Sequence, residues 1–323
     1  MNQGSATAPV IRTRPRIGLA LGGGVARGWA HIGVLKALKR LGIEVDVVAG
    51  ASVGALVGGV ALAGHLETLE DWARNLSRLK IVSYLDLRLR SGGGLISGNH
   101  LVADMRRHLG EIRIEELPVP FVAIATDLVT GHEVWLREGD LVESLRASIS
   151  LPGIFPPMRI DQRWMVDGAL VNPVPVSVCR ALGAEMVIAV NLSGDILGKA
   201  RKPGATISTA AGFDLFTLLE ETPEPVSSFS ISSLARRIFN RDYEGPSLFG
   251  VMVSSLNIIL DRITRSRLAG EPADVLITPR VGHIGLLEFD RADEVITLGE
   301  EAVERALPDL SDALRVFAAS LQA

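Results

Sequence analysis

One local pattern constrains this 323-residue chain more than any other, and it occurs twice in the first 64 residues. IGLALGGG (17–24) is a short apolar run that stops in glycine. GWAHIGVLKALKRL (28–41) follows with helical periodicity: Ile32, Leu35, Leu38 and Leu41 share one side, with Lys36, Lys39 and Arg40 elsewhere, and Gly42 is a stop signal. EVDVVAG (44–50) reads as a second strand ending in glycine, and ALVGGVALAG (55–64) continues as a helix rich in small residues. Strand, turn and helix twice in succession predict a parallel α/β sheet, because parallel neighbours need a crossover long enough to hold a helix.

The second copy invites a different reading. After Asp46, the residues up to Gly64 carry no charge, a membrane-span length, and Gly50, Gly54 and Gly58 have the spacing at which membrane helices touch. The same letters contain G-A-S-V-G, which can aim a nucleophilic serine from a strand-to-helix turn. A run divided between a buried strand and a buried helix accounts for the absence of charge without a membrane. Gly58 and Gly59 then let the helix approach the sheet closely.

Farther along, 66–80 and 98–109 read as helices, FVAIATDL (121–128) and HEVWLRE (132–138) as strands around a turn, and LVESLRASIS (141–150) as a helix. LPGIFPP (151–157) cannot be regular with three prolines. RWMVDGALVNPVPV (163–176) reads as strand, turn and extended exit, and MVIAVNLS (186–193) as a buried strand. FGVMVSSLNIILDRITRSRLAG (249–270) is an amphipathic helix with one stripe of Met252, Leu256, Ile259 and Ile263 and another of Asn257, Asp261 and Arg265. The expected organisation is a disordered leader at 1–14 and a core at 15–193. A Ser- and Pro-rich insertion or lid, flexible in part, follows at 194–248. The helix, a last strand (274–279) and helices over 290–321 complete the same domain as 249–323.

Composition excludes several function classes. A net charge of −4 with 5% aromatic residues argues against nucleic acid as a partner. The single cysteine, Cys179, excludes an intrachain disulfide and a cysteine-rich metal site and fits a cytoplasmic chain. The six histidines show no paired ligand spacing, so neither metal nor cofactor is expected. Arg12, Arg14 and Arg16 before IGLALGGGVA imitate a signal peptide, but three glycines break the apolar run and Arg27 follows it.

Three groups carry candidate chemistry. Ser52 sits between a predicted strand and a predicted helix, the context its G-x-S-x-G requires, although the motif alone also describes a small-residue turn. The turn G22-G23-G24-V25-A26-R27-G28 offers backbone N–H groups at a helix start, for a phosphate or for the oxyanion of acyl transfer. Gly22, Gly24 and Gly28 approximate a dinucleotide fingerprint, but Glu44 and Asp46 lie at the wrong end of the second strand for a ribose contact. Asp167 in V166-D167-G168-A169 ends a strand; taken alone, Asp-Gly reads as an Asx-type turn, and taken with Ser52 it is a candidate base. Only His283 follows Asp167 in the order that a Ser–acid–His hydrolase needs.

In their order, GGGVARGWAHIGVLKAL (22–38), GASVG (50–54), ATDLVTG (125–131), RASISLPGIFPP (146–157), VDGALVNPVPV (166–176) and ADVLITP (273–279) resemble the patatin-like phospholipase family. The nearest likeness is to its small bacterial branch, related to the catalytic part of neuropathy target esterase. The resemblance implies a three-layer α/β/α sandwich with a mostly parallel sheet and a Ser–Asp dyad without histidine. Ser52 matches the nucleophile and Asp167 the general base, with Gly50 and Gly54 framing the elbow and Gly168 and Ala169 the dyad turn. Gly23, Gly24, Val25, Arg27 and Gly28 match the oxyanion loop, with the N–H groups of Gly24 and Val25 as donors. Where the family commonly has glycine this chain has Val25, which requires an ordinary backbone conformation there or an altered hole. An unperturbed aspartate is a weak base for serine, so the dyad is expected to depend on positioning. The implied activity is hydrolysis of phospholipid, lysophospholipid or fatty-acyl esters. The stripe of the 249–268 helix could pack on the domain's own core, the more frequent case, or cover the site, make peripheral membrane contact or form a homodimer. The alternatives are a catalytically weak lipid-binding or regulatory module and, further off, a nucleotide-binding protein.

Overall fold

The computed structural model describes residues 14–77, 98–195 and 248–320. The expected leader, apart from Arg14, and the expected insertion, apart from Gly194, Asp195 and Leu248, lie outside the described residues. Arg14 is tied down rather than loose: its guanidinium meets the Asp46 carboxylate at 2.6 and 3.0 Å.

Among the described residues eight strands form one mixed sheet: β1 (Ile17–Leu21), β2 (Val47–Ala51), β3 (Phe121–Asp127), β4 (Glu133–Leu136), β5 (Met158–Ile160), β6 (Arg163–Asp167), β7 (Met186–Val190) and β8 (Val275–Ile277). The helices are α1 (Ala30–Arg40), α2 (Val53–Leu62), α3 (Leu66–Arg74), α4 (Asn99–Leu109), α5 (Leu141–Ser148), α6 (Val176–Ala181), α7 (Leu248–Gly270), α8 (Ala292–Arg305) and α9 (Leu307–Ser320). β8, β7, β1, β2 and β3 run parallel in that spatial order, and β4, β5 and β6 add antiparallel pairings at the β3 edge. β1, β2, β3 and β7 are buried along their whole length, as central parallel strands covered on both faces must be.

The two-residue strand period divides the core into two layers. Leu19, Leu21, Val48, Ala123 and Ile188 face one side, where α1, α2, α5 and α8 contribute Ile32, Leu56, Leu145 and Val295. Ala20, Ala49, Ala51, Val122 and Ile124 face the other, against Val178 and Cys179 of α6 and, partly buried, Leu260 and Leu268 of α7. The result is the three-layer α/β/α sandwich. The C-terminal helices are part of it: a Cβ at Gly33 would run into the Ile296 carbonyl and one at Gly299 into the Ala30 carbonyl, so α1 and α8 cross with their backbones in contact.

The charge-free stretch after Asp46 is divided as its glycines imply. Val47–Ala51 is strand, Ser52 the elbow and Val53–Leu62 helix. Among the described residues no helix is long and apolar enough to cross a membrane.

The β3 registers determine the position of the site. β4 pairs with Ala123–Thr126 along one edge of β3. The other edge is shared end to end: β2 pairs with Phe121–Ile124, and β6, running the opposite way, pairs with Ala125–Asp127. Ala51 lies opposite Ile124 and Asp167 opposite Ala125. The C-terminal ends of β2 and β6 therefore meet at neighbouring residues of β3, although Ser52 and Asp167 are 115 positions apart in sequence.

Candidate active site

Ser52 leaves β2 in a conformation that few non-glycine residues adopt, φ 55° and ψ −129°. The glycines of the elbow make this turn possible by removing bulk. A Cβ at Gly50 would collide with the Ala55 backbone, and one at Gly54 with the Leu21 carbonyl. The elbow thus packs directly on the end of β1. From it the Ser52 hydroxyl donates a 2.6 Å hydrogen bond to Oδ2 of Asp167.

Asp167 is fully buried, and each of its polar groups is engaged. Oδ1 accepts from the Ala169 N–H at 2.8 Å, the Asp167 N–H donates to the Ser150 carbonyl at 3.0 Å, and its carbonyl accepts from the Thr126 hydroxyl at 2.8 Å. Gly168 allows the turn to press against β3, since a Cβ there would strike the Ile124 carbonyl. Burial pushes the Asp167 carboxyl up to about 7, partly offset by the bonds from Ser52 and Ala169. Desolvation thus makes this carboxylate more basic than the unperturbed aspartate considered from the sequence.

The glycine turn lies against the serine. A Cβ at Gly23 would come 3.3 Å from the Ser52 Cβ. The Gly22 N–H is engaged by the Val190 carbonyl and the Gly23 N–H by the Pro173 carbonyl, so Gly23 is not a free donor. Among the described residues the N–H groups of Gly24 and Val25 have no hydrogen-bond partner. Val25 does not take the ordinary conformation that its branched side chain suggests; its φ is 52°. Bonds on either side hold it there, from the Ala26 N–H to the Leu286 carbonyl and from the Arg27 N–H to the Gly24 carbonyl. Gly28 serves packing, since a Cβ there would collide with the Val53 side chain. Arg27 is buried at the same cleft, its Nε donating to the Ile284 carbonyl at 2.8 Å. Desolvation lowers its guanidinium to about 10, against the raising influence of Asp195 and Glu288, and it stays cationic at neutral pH.

Apolar side chains close the cleft, among them Leu151, Ile154, Leu256, Leu260 and Leu286. Ser52 is 5% exposed beneath them. Two of these leucines come from α7, and its faces differ from the expected stripes. Met252 and Ile259 are exposed with Val251 and Ile258, whereas Asp261 and Thr264 are buried. The inward face follows Leu256, Leu260 and Leu268 instead.

Among the described residues no histidine lines the Ser52 cleft. His283 bonds Glu294 at 2.7 Å near the surface. His31 is fully buried and its Nε2 contacts the Gly22 carbonyl at 2.7 Å; burial lowers it to about 4, so it is neutral. The Nε2–H tautomer donates to that carbonyl and braces the base of the glycine turn. Among the described residues no three His, Cys, Asp or Glu side chains converge as a metal site.

Sequence reasoning assigned no role to Ser148, whose hydroxyl accepts the Ser52 N–H at 3.0 Å and donates to the Ile124 carbonyl at 2.6 Å. The available signal was a Ser-x-Ser placed between a helix and a proline-rich loop, polar residues where the chain must recross a buried sheet. A hydroxyl bonded to a buried carboxylate, beside two free backbone donors in an apolar cleft, is an arrangement suited to attack on a carbonyl.

Comparison with known proteins is consistent with this geometry. The family description "Patatin-like phospholipase" matches residues 19–180. An "Uncharacterized NTE family protein Mb1092c" of Mycobacterium bovis is 35% identical over 331 aligned positions, covering 91% of each chain. "Patatin-like phospholipase domain-containing protein ZK370.4" of Caenorhabditis elegans is 38% identical over 193 positions, 56% of this chain and 14% of that protein. "Neuropathy target esterase sws" of Drosophila melanogaster is 34% identical over 183 positions, 54% of this chain and 13% of that protein.

Proposed function

Since the chain belongs to the patatin-like phospholipase family, we propose that it is a serine lipid acyl hydrolase working through Ser52 and Asp167. The 2.6 Å bond between the Ser52 hydroxyl and a buried Asp167 carboxylate carries this reading. The Ser52 Oγ attacks the ester carbonyl carbon while Asp167 takes its proton. The tetrahedral oxyanion receives hydrogen bonds from the Gly24 and Val25 N–H groups, with the Arg27 charge nearby. Collapse expels the alcohol, which takes the proton back from Asp167. A water molecule, deprotonated by the same carboxylate, then attacks the acyl-serine, and the fatty acid leaves as Asp167 returns the proton to the Ser52 oxygen. The proton passes directly between Asp167 and oxygen, so the cycle has no step for a histidine.

The apolar walls of the cleft and the family support the substrate class of this proposal, a phospholipid, lysophospholipid or another fatty-acyl ester. Peripheral membrane contact belongs to the same proposal. Val251, Ile258 and Ile259 lie 42%, 48% and 50% exposed on the outer face of α7, the helix whose inner face closes the cleft, with Arg262 exposed on the next turn. The lipid-binding or regulatory alternative was motivated by Val25 and by the 194–248 insertion; its first ground weakens because Val25 holds the left-handed conformation that glycine would supply, and the second falls largely outside the described residues. The nucleotide alternative weakens because Asp46 is occupied by Arg14 and the Ile17 N–H at the opposite end of the strands. The test is ester hydrolysis by purified wild type, Ser52→Ala and Asp167→Asn. Turnover in the wild type alone supports the proposal, and full activity in both variants defeats it.

A further inference from the structure

In the parallel ladder between β2 and β3, the Val48 N–H donates to the Pro120 carbonyl at 3.0 Å. Parallel rungs repeat every two residues, so the next fall at Gly50–Val122 and at Ser52–Ile124. The last of these is not made directly. The Ser148 hydroxyl stands between the two groups, accepting from Ser52 and donating to Ile124. It is fully buried, so no water competes for either bond.

We infer that Ser148 is the positioning residue of the nucleophile: its hydroxyl is inserted into the final rung of the β2–β3 ladder and fixes the elbow so that the Ser52 hydroxyl reaches Asp167. A direct rung would keep Ser52 in the strand. The inserted hydroxyl satisfies the same donor and acceptor at greater separation, which lets the backbone turn to φ 55° at the point where the sheet ends. The same short segment also holds the base. Ser150, two residues on, accepts the Asp167 N–H with its carbonyl. The Ser150 hydroxyl donates to the Arg146 carbonyl at 2.9 Å and accepts from the Arg146 guanidinium at 2.7 Å, closing the end of α5 on itself. Residues 148–150 therefore tie the backbones of Ser52 and Asp167 to one turn, a side-chain bond to the first and a main-chain bond to the second. Only the first can be removed by substitution without touching the dyad.

The inference rests on Ser52 being the nucleophile, and the experiment separates the two. Turnover of a soluble p-nitrophenyl ester and the rate of Ser52 labelling by a fluorophosphonate are measured for wild type, Ser148→Ala, Ser148→Thr and Ser148→Cys, each shown to be folded by circular dichroism. Misplacing a reacting group by about 1 Å costs on the order of 10²-fold, so Ser148→Ala should lose that much in kcat and in labelling rate with KM unchanged. Ser148→Thr, which restores the hydroxyl, should recover most of the loss; where its extra methyl prevents folding, Ser148→Cys, a weaker donor and acceptor, should fall between. Ser148→Ala within about threefold of wild type in both rates, or a loss that neither Thr nor Cys repairs, overturns the inference. Wild type that neither turns over ester nor takes the label refutes the hydrolase reading instead. Hydrogen exchange at the Ser52 amide then tests the inserted rung by itself: faster exchange in Ser148→Ala supports Ser148 as the residue that fixes the elbow, and unchanged exchange overturns it.

Discussion

Replacing Asp167 by Asn should destroy activity and raise stability, and the second effect can be sized. The Asp167 carboxyl moves from 3.8 to about 7 on folding, with desolvation as the leading cause. Between those values the folded chain binds more protons than the unfolded one, so stability falls as pH rises through the window. At about 1.36 kcal/mol per pH unit the wild type carries a penalty of roughly 4 kcal/mol at pH 8 and somewhat under 2 at pH 5. Asn keeps the shape, with its oxygen accepting from the Ala169 N–H, and has no charge to bury. The stability of Asp167→Asn relative to wild type should therefore grow by about 3 kcal/mol between pH 5 and pH 8. Urea denaturation of both proteins at half-unit pH steps measures this directly. A difference that stays flat with pH, or that shrinks toward pH 8, refutes the assignment of Asp167 as a buried, destabilised base.

The same carboxyl sets the rate profile: kcat/KM should rise with pH and level off above about 7, and activity undiminished at pH 5 would exclude Asp167 as the base. Gly54→Ala drives a methyl into the Leu21 carbonyl, where only backbone could give way, and should cost about 3 kcal/mol of stability in urea denaturation. Ile258→Ser with Ile259→Ser should weaken flotation with anionic vesicles by roughly tenfold, while leaving soluble-ester turnover unchanged. Equal flotation of this double variant and wild type removes α7 as the contact face.

The parts of the fold that were legible in the sequence share a physical cause. β1, β2, β3 and β7 are covered on both faces and must be apolar throughout, so they read as unbroken runs. The elbow was legible because close backbone approach at Gly50 and Gly54 leaves glycine as the residue that fits. Short elements were lost. β5 has three residues at an edge, and α6 begins beside Pro173 and Pro175, which made it read as an extended exit. Periodicity misassigned α7 because the helix lies between the core and an exposed face. It buries Asp261, bonded to Arg265 at 2.8 Å, and leaves Ile258 and Ile259 outside. Single-residue energetics were hidden for a different reason. The strength of Asp167 depends on burial, and the left-handed Val25, which costs about 1–2 kcal/mol, depends on bonds to distant Leu286 and nearby Gly24. Ser148 escaped notice because its role depends on where a ladder stops, which pairing reveals and composition does not.

The central claim is that Ser52 is a nucleophile activated by Asp167, and fluorophosphonate labelling followed by peptide mapping tests it most directly. The account predicts a single adduct on Ser52 in the wild type, none in Ser52→Ala and much slower labelling in Asp167→Asn. An unlabelled Ser52 in folded wild type, or an adduct that forms equally fast without Asp167, would contradict it.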